Sequence, residues 1–124
     1  MRLTRQILLA DDDTANRADI RAMFANSAAV ELTVVSDGRA AVEVAMTQKF
    51  DLLIVGQNIP QISGDRVVRH LRASNSPNAC TPVIRFSGDT PPFSRADGEK
   101  TVVMPKSRSR ENLISVVAEL LAAV

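Results

Sequence analysis

The chain has 124 residues, a formal net charge of +1, and four Phe with no Tyr or Trp. This length predicts one domain, residues 1–124, that folds without disulfide bonds, so the single cysteine, Cys80, is expected to be structural. The balanced charge and the few aromatic rings argue against a nucleic acid as the partner, because proteins that bind one usually carry a clearly basic face or base-stacking rings.

Five short apolar runs predict the strands of a buried sheet. The first run, residues 6–10, is too short for a signal peptide or a membrane span, so we expect a cytoplasmic protein without a membrane partner. The later runs are residues 31–35, 51–55, 82–87 and 101–104. The run that ends just before Gly56 is apolar in four consecutive residues, which is typical of a central parallel strand.

Apolar residues at helical spacing lie between these runs. They predict helices that begin near Asp13 or Thr14, near Gly38 and at Gly64, and a last helix over residues 109–121. The connection after the fourth run contains Pro and Gly and leaves room for about one helical turn, so its helix is expected to be short or irregular. Strands that alternate with helices in this way predict an α/β fold with a parallel sheet and helices on both faces.

Polar residues follow the predicted strands at their carboxyl ends, where open α/β sheets bind their ligands. Asp11 and Asp12 follow the first strand and Gly56 follows the third. Ser87 ends the fourth strand and Lys106 comes after the fifth. We therefore expect these five residues to surround one crevice, although they are far apart in sequence.

This ordered set resembles the receiver domain of two-component response regulators over essentially the whole chain. Asp11 and Asp12 match the acidic pair that holds Mg²⁺ in that family, and residues 51–64 match the segment that carries its phosphoacceptor Asp. Ser87 and Lys106 match the hydroxyl residue and the lysine that end the family's fourth and fifth strands. The resemblance implies a CheY-like, flavodoxin-like fold with a five-stranded parallel sheet of order 2-1-3-4-5.

The phosphoacceptor position is occupied by Gly56. Phosphoryl transfer in the family needs a carboxylate nucleophile, a divalent cation and a lysine, and Gly56 offers no nucleophile. Asp51 lies at the other end of the same strand, about 16 Å away at ~3.3 Å per residue, and cannot replace it. The sequence therefore predicts a non-catalytic pseudo-receiver that cannot form the usual aspartyl phosphate.

The same loss weakens the expected metal site. Asp11, Asp12 and the carbonyl group of Asn58 remain as oxygen ligands, so weak Mg²⁺ binding is expected and no cofactor is required. As an alternative, Lys106 pairs directly with Asp11 or Asp12 and replaces the cation.

The switch and partner surfaces of the family are also altered. Ser87 holds the hydroxyl switch position, but Val103 replaces the aromatic switch residue. We expect a phosphorylation-independent adaptor in a phosphorelay, whose partner is a histidine kinase, a phosphotransfer protein or another signalling protein; a homodimer remains open. The expected partner face consists of Val103, Lys106, Arg108 and Arg110.

Two other functions stay open at this point. A haloacid-dehalogenase-like phosphatase would use Asp11 as its nucleophile, but the signature of that family fits poorly because Thr14 comes one residue early. An arginine-rich surface would suit a nucleotide second messenger, although a solvated face accounts for it more simply. That surface consists of Arg66, Arg69, Arg72, Lys106, Arg108 and Arg110. Arg85 is unexpected, since its strand is predicted to be buried.

Overall fold

A computed structural model describes residues 4–25, 29–87, 94–96, 101–105 and 110–122. In chain order, its elements are β1 (Arg5–Ala10), α1 (Thr14–Phe24), β2 (Val30–Val35), α2 (Gly38–Ala45), β3 (Leu52–Gly56), α3 (Gly64–Ala73), β4 (Val83–Ser87), β5 (Ser94–Ala96), β6 (Thr101–Pro105) and α4 (Arg110–Ala122). Each predicted strand is present, as are the helices predicted from Asp13 or Thr14, from Gly38, from Gly64 and over residues 109–121, with bounds within one residue of those expected. Within the described residues, no helix has both the length and the apolar character needed to cross a bilayer.

The strands form one sheet of order β2-β1-β3-β4-β6-β5. Neighbouring strands from β2 to β6 are parallel, and this part has the predicted order 2-1-3-4-5 because β6 takes the place of the fifth parallel strand. The predicted CheY-like, flavodoxin-like fold is thus confirmed. β3 extends one residue further than predicted, since Gly56 pairs with Phe86 of β4.

The connection between β4 and β6 contains a short strand that the sequence did not predict. The sequence leaves room for about one helical turn in this connection. The described residues 94–96 instead form the additional short strand β5, which pairs antiparallel with β6. Ser94 pairs with Val103 and Ala96 with Thr101, so β5 covers the edge of β6 whose backbone groups would otherwise be unpaired. This pairing depends on the edge of a distant strand, which local sequence pattern does not reveal. Residues 88–93 and 97–100, which include most of the expected turn, lie outside the described part of the chain.

Each face of the sheet builds its own core. Alternate strand residues such as Leu9, Ile54 and Ile84 pack with α1 and α4 on one face. Leu8, Val55 and the other residues of opposite parity pack with α2 and α3 on the second face. Covering both faces explains why the central strands are apolar throughout.

The starts of α1 and α2 are fixed at the carboxyl edge of the sheet by aspartate caps. Asp13 accepts hydrogen bonds from the amides of Ala15 and Asn16, at 3.0 and 3.2 Å, which settles the predicted choice between Asp13 and Thr14. Asp37 accepts one from Ala40 at 2.7 Å. Both caps hold their helix next to the loops in which the candidate site lies.

Candidate functional site

Asp11 is the buried acid at the end of β1, with 0% of its surface exposed. One carboxylate oxygen accepts a hydrogen bond from the Asp13 amide at 2.9 Å, and the other accepts one from the Asn16 side-chain amide at 2.5 Å. Arg17 donates to the Asp11 carbonyl oxygen at 2.8 Å. The first turns of α1 therefore hold Asp11 in place, whereas Asp12 is exposed. The sequence did not single out Asn16 and Arg17 as partners of Asp11. The available signal was their position in the first turn of α1, directly after the acidic run.

Gly56 lies beside Asp11, as predicted from the strand order. A Cβ atom placed on Gly56 would lie 3.6 Å from Cγ of Asp11 and 3.6 Å from the carbonyl oxygen of Ala10. It would also lie 3.0 Å from Cγ2 of Ile59, which is tighter than most contacts that Cβ atoms make. Ile59 is 5% exposed and packs in the core under α2 and α3. An apolar methyl group therefore borders the place where a side chain at position 56 would begin.

The loop after β3 is held by backbone hydrogen bonds at three points. The Gln57 amide donates to the Phe86 carbonyl at 2.7 Å, and the Gly64 amide donates to the Gln57 carbonyl at 2.9 Å. The Gly38 amide donates to the Pro60 carbonyl at 2.9 Å, which ties the loop to the start of α2. A side chain at Gly64 would not fit, because its Cβ would lie 2.3 Å from the Gly56 carbonyl oxygen. The surroundings of Gly56 are consequently well fixed.

The other predicted site residues are only partly placed. Ser87 ends β4 at the same edge of the sheet, and its backbone pairs with Pro105 of β6. Val103 lies on β6 and is only 6% exposed, which leaves little of its surface for a partner. Lys106 and Arg108 lie outside the described residues, and so does the alternative pairing of Lys106 with Asp11 or Asp12. Arg110 is the first residue of α4.

The described residues do not match a three-acid magnesium site. Of the expected ligands, Asp11 already accepts hydrogen bonds at both carboxylate oxygens, while Asp12 and Asn58 are exposed. Across the ranges that the structure describes, no cluster of three His, Cys, Asp or Glu residues is suited to a metal ion. A hard cation such as Mg²⁺ needs several oxygen ligands in near-octahedral array, and this set supplies few of them.

Arg85 has a partner that the sequence did not indicate. Its guanidinium group donates to the side-chain oxygen of Gln57, and the Gln57 amide nitrogen donates to Asp65 at 3.1 Å. Asp65 also accepts hydrogen bonds from Ser63 at 2.8 Å and from Arg69 at 3.0 Å. The hydrogen bond from Ser63 is the largest cause of the lowered pKa of Asp65; burial opposes it, and Gln57 and Arg69 lower the pKa further. The network links the loop after β3 to α3 and β4.

The structure also divides the predicted arginine-rich surface. Arg69, Arg72 and Arg85 border one cavity, whereas Arg66 is exposed and is not part of its lining. Lys106 and Arg108, which belong to the predicted surface, lie outside the described residues.

Comparison with known proteins identifies the family of this chain. A model of the response regulator receiver domain family matches residues 7–114, so the chain belongs to that family.

Solved receiver domains share the fold over nearly the whole chain. The receiver domain of the sensor histidine kinase PA1611 from Pseudomonas aeruginosa, solved with a magnesium ion in its active-site cleft, is 24% identical, with a TM-score of 0.79 and coverage of 96% of this chain and 98% of that one. The Francisella response regulator 1452 receiver domain is 23% identical, with a TM-score of 0.80 and coverage of 97% and 98%. A histidine kinase receiver domain from Syntrophus aciditrophicus is 21% identical, with a TM-score of 0.81 and coverage of 98% and 92%. At these identities the likeness establishes the fold.

Proposed function

We propose that this chain, residues 1–124, is a pseudo-receiver that acts in two-component signalling without forming an aspartyl phosphate. The observation that carries the proposal is Gly56 at the phosphoacceptor position, beside the buried Asp11 and against the methyl branch of Ile59. Formation of an acyl phosphate needs a carboxylate in line with the phosphoryl donor, and Gly56 has no side chain to supply one.

The neighbouring acids are poor substitutes for the missing nucleophile. Both carboxylate oxygens of Asp11 accept hydrogen bonds from α1, which holds the group in place. Asp51 precedes β3 at the far end of the strand, where it accepts a hydrogen bond from the Gln6 amide at 2.8 Å. The contacts of Asp11 also disfavour the phosphatase alternative, because that enzyme would need the same carboxylate to attack a phosphate ester.

The proposed role is a protein-binding adaptor whose conformation does not depend on phosphorylation. Its partner would be a histidine kinase, a phosphotransfer protein or another signalling protein of a phosphorelay. Ile114 on α4 is 50% exposed, and we include it in the proposal as an apolar contact for the partner. The cytoplasmic location and the role of Lys106, Arg108 and Arg110 in partner binding remain predictions.

A phosphoryl mimic tests the proposal directly. Fluoroberyllate with Mg²⁺ is added to the ¹⁵N-labelled protein, and the amide signals of β1, β3 and β4 are followed by NMR after a titration with Mg²⁺ alone. We expect weak or no response to Mg²⁺ and no further shift with fluoroberyllate, because the mimic binds to a carboxylate that is missing. The matched control is Gly56→Asp, which restores that carboxylate and should respond. Saturable shifts in the wild-type protein at stoichiometric fluoroberyllate would contradict the proposal.

A further inference from the structure

A cavity of about 550 Å³ lies between α3 and the β4–β6 part of the sheet. Its lining includes three arginines, Arg69, Arg72 and Arg85, together with Asp65, Val68 and Thr101. Val83 packs in the core under α2 and α3, so Arg85, two residues further along β4, faces the same side of the sheet. Thr101 pairs with Val83 on the neighbouring strand and lies on this face as well. The volume is within the range of small-molecule sites.

Polar contacts position the arginine side chains around the cavity. Arg72 donates to the carbonyl oxygens of Asn78 and Ala79 at 3.2 and 3.3 Å, and to the hydroxyl group of Thr101 at 3.4 Å. Arg85 donates to the neutral side-chain amide of Gln57, so this hydrogen bond orients the guanidinium group without neutralising its charge. A guanidinium group held in this way loses less conformational entropy when a ligand binds.

The described lining is strongly cationic. It holds three guanidinium groups and a single carboxylate, that of Asp65. Asp65 accepts hydrogen bonds from Ser63, Gln57 and Arg69, so its negative charge is stabilised within the network. Among the described residues, the lining holds more guanidinium groups than carboxylates, which favours an anionic ligand.

We propose that this cavity is a binding site for a small organic phosphate monoester. Such a group carries nearly two negative charges at neutral pH, and its oxygens match the donor fork of arginine. Val68 and the aliphatic stems of the arginines provide an apolar wall, which favours an ester with an organic body over inorganic phosphate. The site is separate from Gly56 and does not depend on the proposed loss of phosphorylation.

Phenyl phosphate is a suitable probe, because it combines the dianion with a compact apolar body. It is titrated into the ¹⁵N-labelled protein, with phenol and inorganic phosphate titrated separately. We expect saturable shifts at amides of α3, β4 and β6, with a dissociation constant below about 1 mM for phenyl phosphate. Phenol should cause no saturable shift. The affinity for inorganic phosphate should be lower than that for phenyl phosphate by a factor of at least about ten.

Three arginine variants locate the site. Arg85→Met should weaken binding about tenfold or more, because a charge-assisted hydrogen bond is lost. Arg69→Met should also weaken binding. Because the Arg69 side chain is 73% exposed, this variant should fold normally and can replace Arg85→Met if that variant folds poorly. The matched control is Arg66→Met on the same helix, which should change the affinity less than about twofold.

Two results would overturn the proposal. One is the absence of saturable shifts up to about 10 mM phenyl phosphate. The other is a loss of affinity in Arg66→Met equal to that in Arg85→Met and Arg69→Met, which would indicate nonspecific attraction to a basic surface. Binding of inorganic phosphate as tight as that of phenyl phosphate would overturn the assignment to an ester.

Discussion

The branch methyl of Ile59 lies 3.0 Å from the position that a Cβ on Gly56 would take. The other two nearest atoms, in Ala10 and Asp11, lie at an ordinary distance of 3.6 Å. At the residue scale, therefore, the obstacle to an acidic side chain at this position is a single methyl group rather than the backbone. Leucine lacks a branch at Cβ, whereas valine retains one.

This difference gives the first prediction. Gly56→Asp alone should reduce the free energy of unfolding by about 1–3 kcal/mol, because Ile59 must shift to make room. The cost should fall when the same substitution is made in an Ile59→Leu background, which removes the branch at nearly constant volume. Urea unfolding measures each cost relative to its own parent.

Ile59→Val is the matched control for that prediction. It shortens the side chain but keeps the Cβ branch, so the cost of Gly56→Asp should stay close to that in the wild type. An equal cost in the leucine and valine backgrounds would show that the methyl branch does not limit the site.

The pH dependence of stability should reveal the hydrogen bonds of Asp65. Because its pKa in the folded protein lies below the usual 3.8, Asp65 stabilises the fold above that pH, and the contribution is lost as the pH falls through the lower folded-state pKa. The free energy of unfolding should therefore differ between wild type and Asp65→Asn at neutral pH and converge in acid. The side chain is 37% exposed, so the difference should be less than about 1 kcal/mol.

Ser63→Ala supplies the control, because the Ser63 hydroxyl makes the largest contribution to the lowered pKa. Ser63 makes no side-chain cap bond to α3, so this substitution leaves the cap unchanged. The effect of Asp65→Asn should shrink in the Ser63→Ala background. If it is the same in both backgrounds, the assigned cause is wrong.

At the scale of elements, the loop between α3 and β4 is packed more firmly than a polar connection usually is. Asn78 in this loop is 0% exposed. Its side-chain nitrogen donates to the carbonyl oxygens of Ala45 and Gln48, both at 2.7 Å, and its oxygen accepts from the Phe50 amide at 2.8 Å. One side chain thus ties the end of α2 and the residues before β3 to the loop.

Replacement of Asn78 should be costly for the whole fold. Asn78→Ala leaves the buried backbone groups of Ala45 and Phe50, and the less buried carbonyl group of Gln48, without their partner. At about 1–3 kcal/mol for each buried unsatisfied group, we expect a loss of several kcal/mol in the free energy of unfolding. Asn75→Ala, in the same loop but at an exposed position, should change it by less than about 0.5 kcal/mol. Chemical denaturation of both variants tests the prediction, and a similar loss in the two would contradict the role assigned to Asn78.

At the scale of the whole molecule, the sequence predicts what depends on local pattern and strand order. Apolar runs alternating with helical segments predict the parallel sheet, and that order places Gly56 next to Asp11. Contacts between distant side chains were beyond such reasoning. The packing of Ile59, the hydrogen bond from Arg85 to Gln57 and the pairing of β5 with β6 each depend on three-dimensional proximity that no local spacing encodes.

The central claim concerns the missing nucleophile, and one measurement tests it most directly. Wild type and Gly56→Asp are incubated with acetyl phosphate and Mg²⁺, and their intact masses are recorded. We predict no phosphoryl adduct on the wild type and partial labelling of Gly56→Asp, because the introduced carboxylate is crowded by Ile59. Addition of a phosphoryl group to the wild-type protein would contradict the account.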